Sequence, residues 1–134
     1  GYSQIYYFKK EKIFNPESAL FSHCLREINT IVVTMGGSSE TVYGLSGLGD
    51  LHVTSGTGRN GALGKFLAKN KKYSDIISNE LKDETVEGAE LLIDLNSFFS
   101  SYVFEHRLPI LKNLLTTICN NQKLDIPWSE LNIH

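Results

Sequence analysis

The stretch GLGDLHVTSGTGRNG, residues 47–61, gathers five glycines around one acid, one base and two threonines. Of these, Arg59 carries the plainest chemistry. A guanidinium offers paired donors that match a phosphate or a carboxylate. It is expected where the glycine turn gives way to a helix, and a helix N-terminus adds free backbone N–H groups and a partial positive charge. Glycines at 56 and 58 let a ligand approach the backbone closely. Thr54 and Thr57 add hydroxyls, and Asn60 adds an amide. The combination suits a small phosphate ester. Asp50 would repel a phosphate at close range, so its place is against another part of the ligand, such as a hydroxyl, or against a catalytic Lys. In the plainer alternative Asp50 caps a helix and Arg59 is a solvated surface charge. The stretch has no GK[ST], which excludes a P-loop. No convincing strand precedes it, which excludes the dinucleotide fingerprint.

The rest of the composition narrows the class. A chain of 134 residues fits one domain, residues 1–134. A net charge of −2 gives no basic field for nucleic acid. Runs such as TIVVTM and ELLIDL are too short to span a bilayer. The segment GYSQIYYFKK has its charges after its apolar stretch, unlike a signal peptide. Cys24 and Cys119 belong to no CxxC and read as two buried thiols in a reducing compartment, which points to the cytoplasm. The histidines form no HExxH pair, so no metal site is expected, and His52 reads as an ordinary histidine despite standing two residues after Asp50.

The elements that must position these residues are mostly helical. Asn15-Pro16-Glu17 starts a helix that keeps helical spacing through Leu20, Phe21, Cys24, Leu25, Ile28, Ile31, Val32 and Met35 and stops at Gly36-Gly37. Its far end, IVVTM, is apolar nearly all round, which predicts burial on more than one side. Ser38-Ser39-Glu40 starts a short helix. Others are expected from about Arg59 to Ala68, near Ser74–Leu81, from about Val86 to Phe104, and from Leu108-Pro109 to Cys119, where NNQKLDIPW ends the run. NKKYSD reads as a loop. SQIYYF and DLHVTS are the only β-like runs. The aromatics Phe98, Phe99, Tyr102 and Phe104 read as core or as an exposed face for a further domain.

At this point the residues resemble a known family. GLSGLGDLHVT followed by GRNGALG resembles the C-terminal domain of NAD(P)-dependent glycerol-3-phosphate dehydrogenase. TVEG at Thr85–Gly88 and RLPILKNL at Arg107–Leu114 resemble its later segments, so the likeness runs from about residue 16 to 118. The resemblance implies an all-α, multi-helix domain of the 6-phosphogluconate-dehydrogenase-like type, lacking its Rossmann domain. It implies an enzyme that interconverts dihydroxyacetone phosphate and sn-glycerol 3-phosphate, a phospholipid precursor, with NAD or NADP bound mostly by that N-terminal domain. It also implies a homodimer. By position, Asp50, Thr54, Gly58, Arg59 and Asn60 would line the substrate site, with Asp50 catalytic. Arg59, Thr85 and Glu87 would contact the cofactor.

Four departures from the family pattern stand out. No Rossmann fingerprint occurs in the chain. The family's catalytic Lys, in a Lys-Asn pair, is expected several residues upstream of Gly1; Lys69-Asn70 and Lys112-Asn113 lie in other contexts and do not take its role. Gly58 stands where the bacterial form has a Ser, after a shorter loop, so no side-chain hydroxyl is offered there. IYYFKKEKIF is also bulkier and more basic than the expected glycine-rich stretch. The chain by itself is therefore expected to carry substrate-binding parts but not the full catalytic set, and to be inactive. Two other readings remain: the helical domain of another Rossmann-partnered reductase, and a non-catalytic helical interaction module.

Overall fold

The structure, a computed structural model, describes residues 16–44 and 58–131, and all the regular structure among them is helical. The helices are α1 (Pro16–Thr34), α2 (Ser39–Tyr43), α3 (Gly58–Ala68), α4 (Tyr73–Ser78), α5 (Glu87–Asp94), α6 (Asn96–His106) and α7 (Pro109–Cys119), followed by a 3₁₀ turn at Trp128–Glu130. No described helix is long and apolar enough to cross a membrane.

The all-α expectation holds, and α7 is the centre of the packing: α1, α5 and α6 all contact it. Its buried residues Ile110, Leu111, Leu115 and Ile118 recur at helical spacing and give it a continuous apolar stripe. The main core joins Leu63 and Leu67 of α3, Ile76 of α4, Val86 and Ala89 beside and in α5, and Ile110 and Ile118 of α7. Leu124, Ile126 and Leu131 close it. The segment after α7 is thus a structural wall rather than a simple end. A second cluster joins Leu108, Leu111 and Leu115 to Phe99, Tyr102 and Val103 of α6. Tyr102 also donates its hydroxyl to the Thr30 carbonyl at 3.3 Å, tying α6 to α1.

Three helical expectations are corrected. The helix expected from Val86 to Phe104 is two helices, broken at Leu95, where φ is −103° and ψ 18°. Asp94 and Asn96 flank the break, and such short polar residues compete with helical hydrogen bonding. The Asn96 side chain accepts from Ser100 Oγ at 3.1 Å. One straight helix of that length would run about 28 Å, well past α7; the break lets α5 and α6 each lie against α7. Residues 73–75 of NKKYSD are helical, because α4 starts at Tyr73 and stops at Ser78. The far end of α1 is not enclosed: Val33 is 45% exposed and Met35 63%. With Leu91, Ile93, Phe98 and the almost bare Phe104 they leave much apolar surface uncovered.

How the core helices begin explains much of the tertiary order. The first N–H groups of a helix have no partner within it, and a polar N-cap residue normally accepts from one of them. Helix α2 follows that rule, with Ser38 Oγ accepting from the Glu40 N–H at 3.3 Å. Helices α4, α5 and α7 follow Lys72, Val86 and Leu108, none of which makes a side-chain cap bond. Each is capped from elsewhere. Ser74 N–H donates to Asn121 Oδ1 at 3.0 Å, and Gly88 N–H donates to Asn60 Oδ1 at 3.2 Å. Ile110 and Leu111 N–H donate to the two Glu27 carboxylate oxygens at 2.8 and 2.9 Å. Glu27 is 6% exposed, and His23 Nε2 lies 3.3 Å from its Oε1.

Both cysteines are free. Burial pushes the Cys24 thiol up to about 12, and the negative charge of Glu27 adds to the effect. Burial also raises Cys119. Only the thiolate is nucleophilic, so at pH 8 about one Cys24 in ten thousand is reactive. The native protein is therefore expected to leave Cys24 unmodified by iodoacetamide at pH 8, with both cysteines alkylated after unfolding in guanidinium. Peptide mass mapping of the two samples checks this; rapid native labelling of Cys24 would show that the thiol is not shielded.

Candidate functional site

Helix α3 opens at Gly58 with φ +79°, a conformation that side-chain-bearing residues rarely adopt. A Ser there would be strained, which gives the departure from the family's Ser a backbone reason. Gly61, Leu63 and Leu67 face the core and fix the roll of the helix. Residues 58–60 are consequently turned outward, and Arg59 and Asn60 stand exposed on the first helical turn.

Across from them α5 begins. Val86, 1% exposed, and Ala89, 3% exposed, are sunk in the core on either side of Glu87 and Gly88. This anchoring presents the Glu87 carboxylate to solvent and aims the Gly88 N–H at Asn60. Arg59 Nη2 lies 3.8 Å from Glu87 Oε1, with the two side chains 49% and 80% exposed. An exposed pair of this kind is worth about 0–1 kcal/mol. A hydrogen bond from a guanidinium to a phosphate is worth about 1.5–3 kcal/mol. Glu87 therefore holds Arg59 loosely enough for a phosphate to displace it.

The fold thus brings Arg59 and Asn60 together with Glu87, from a segment 28 residues further along. Thr85 is exposed on the approach to α5. Asp50, Thr54 and His52 lie outside the described residues, as do Asn15 and both β-like runs. Two further residues matter that motif alone does not single out. In sequence Gly88 is only part of TVEG, yet a β-carbon built on it would stand 2.8 Å from Asn60 Oδ1. Glu27 carries a visible signal, an acid inside the apolar row of α1 four residues after His23.

An exposed carboxylate and hydroxyl on one side, and a guanidinium and an amide on the other, suit a ligand that carries hydroxyls and phosphate. Comparison with known proteins identifies the family. The family described as NAD-dependent glycerol-3-phosphate dehydrogenase C-terminus matches residues 9–127. The glycerol-3-phosphate dehydrogenase [NAD(P)+] of Brachyspira hyodysenteriae is 46% identical over 76 residues, covering 55% of this chain and 22% of that protein. The enzyme of the same name from Phytoplasma australiense is 32% identical over 119 residues, covering 87% of this chain and 35% of that protein. The NADP(+)-dependent glycerol-3-phosphate dehydrogenase of Archaeoglobus fulgidus is 38% identical over 61 residues, covering 46% of this chain and 18% of that protein. The chain therefore spans about a third or less of the length of these relatives. No solved structure matches it. With the family matched over almost its whole length, and the Arg-Asn pair set against the Glu-Gly segment, this chain belongs to the NAD-dependent glycerol-3-phosphate dehydrogenase C-terminal family.

Proposed function

We propose that this chain is the substrate-binding part of an enzyme that reversibly reduces dihydroxyacetone phosphate to sn-glycerol 3-phosphate with NAD(P)H. The observation that carries the reading is the meeting of Arg59–Asn60 with Glu87–Gly88. Hydride transfer requires substrate and cofactor side by side, and Arg59 and Asn60, nominated by the family likeness for the substrate, stand beside Glu87, nominated for the cofactor.

Arg59 binds the phosphate, and that remote binding energy holds the ketone in place for reaction. Asn60 donates to the substrate. Asp50 orients the Lys that polarises or protonates the carbonyl oxygen, a residue not found in this chain. The nicotinamide, when bound, supplies the hydride. Glu87 and Thr85 offer acceptor oxygens to its hydroxyl-bearing parts, and an N-terminal dinucleotide domain supplies the rest of its site.

Phosphate dependence tests the reading. The intact protein is expected to oxidise NADH or NADPH with dihydroxyacetone phosphate, with kcat/KM falling about 100-fold or more for dihydroxyacetone. Equal efficiency with the two ketones would remove the phosphate from the proposal. A preference for a non-phosphorylated keto acid would favour a different Rossmann-partnered reductase.

A further inference from the structure

We infer that Gly88 is a positioning residue for phosphate recognition: by giving its N–H to Asn60 and leaving room for the amide, it makes Asn60 a donor to the substrate. The inference rests on the proposed substrate site and adds to it a residue that touches no ligand.

The argument starts from the uncapped start of α5. Val86 provides no side-chain cap, so the Gly88 N–H in the first turn needs an acceptor from elsewhere. Asn60 Oδ1 accepts it at 3.2 Å. An amide has one acceptor end and one donor end. With its oxygen turned toward α5, Asn60 has its two Nδ2 protons left for an incoming oxygen anion. A flipped amide would present its oxygen to the phosphate and set Nδ2–H against the Gly88 N–H. Both faces would then be repulsive. The cap therefore decides which end of Asn60 meets the ligand.

The cap also needs the missing side chain. A β-carbon at residue 88 would lie 2.8 Å from Asn60 Oδ1, 3.3 Å from Cγ and 3.4 Å from Nδ2. These three nearest atoms all belong to the tip of the Asn60 side chain. A methyl group there displaces the amide without pushing the backbone, since Val86 and Ala89 keep α5 seated in the core. Alanine is also a better helix former than glycine. Gly88→Ala should thus fold at least as well as the parent and lose only the orientation of Asn60.

A double-mutant cycle on the intact protein, read as KM for dihydroxyacetone phosphate and for NADH, tests this. Asn60→Ala is expected to raise KM for the phosphorylated ketone about tenfold, as loss of one charge-assisted hydrogen bond does. Gly88→Ala is expected to raise it by a similar factor, with the melting temperature unchanged or higher and KM for NADH within about twofold. In the Asn60→Ala background, Gly88→Ala should have no further effect, because it acts only through that amide. Additive effects, or equal increases in both KM values, would overturn the inference in favour of a general shift of α5. If Asn60→Ala raises KM and Gly88→Ala does not, the inference fails while the substrate site stands. If Asn60→Ala leaves KM unchanged, both fail, and Arg59→Ala then shows whether any phosphate site remains.

Discussion

Arg59→Ala in the intact protein is expected to raise KM for dihydroxyacetone phosphate by about 100-fold and KM for NADH by no more than about tenfold. The larger figure corresponds to about 2.7 kcal/mol, within the range for hydrogen bonds between a guanidinium and a phosphate. Little is offset by relieving Glu87, since the pair that Arg59 gives up is 3.8 Å apart and exposed. The asymmetry arises from the number of contacts each ligand makes. The ketone is small, and its phosphate is its main handle. The dinucleotide is large, and Arg59 would be one contact among many. Arg59→Lys should recover only part of the loss, because an ammonium keeps the charge but cannot present a planar fork. Steady-state kinetics with each substrate varied in turn checks the prediction. Unchanged constants would return Arg59 to the status of a solvated surface charge.

The second large effect concerns stability. Glu27→Ala is expected to destabilise the protein by about 3 kcal/mol, with a fall in melting temperature of about 10 °C. Two backbone N–H groups at the start of α7 lose their acceptor, and both are buried. Leu108 cannot replace it, and Pro109 supplies only a favourable first φ. Glu27→Gln is the sharper control. It preserves shape and length, but its amide nitrogen must face the N–H of Ile110 or Leu111, donor against donor. An intermediate loss of about 1–2 kcal/mol is expected. Urea unfolding with both variants separates the contributions. A loss below about 0.5 kcal/mol for Glu27→Ala would mean that water reaches those N–H groups after all.

The Glu27 prediction and the Asn60 test above concern the same structural device. Asn60 and Glu27 are each polar side chains on one helix that cap the start of another. At Glu27 the contact is sealed in the core, so its removal costs stability. At Asn60 it lies at the surface beside Arg59, so its disturbance is expected to be felt in ligand binding.

Much of this was legible in the order of residues. The start of α1 at Pro16, its stop at Gly36, the Ser38 cap and the opening of α7 at Pro109 all depend on local chemistry within a few residues. The period of apolar residues marked the helices for the same reason. The Arg-Asn pair could be nominated from sequence for the proposed phosphate site because a guanidinium beside glycines at a helix start offers the donors a phosphate needs. Three features were not legible. The break at Leu95 interrupts an apolar pattern that reads as continuous; Asp94 and Asn96 permit it, but where α7 lies is what makes two helices pack better than one. Leu124 and Ile126 sit in a segment with turn-like composition, and only their packing into the cluster that joins α3, α4, α5 and α7 makes them core.

The caps are the clearest case. Asn60 to Gly88 and Glu27 to Ile110 join residues 28 and 83 positions apart, and Val86 and Leu108 reveal only that something else must serve. The amino-acid order by itself determined that the chain is helical and which family it belongs to, since these follow from local propensity and motif, and it nominated residues 58–60 for the phosphate cradle proposed above. Only the tertiary structure decided which acceptor serves each helix start, and hence which end of Asn60 faces outward, because an unpartnered N–H can be satisfied by any acceptor that the packing brings within about 3 Å.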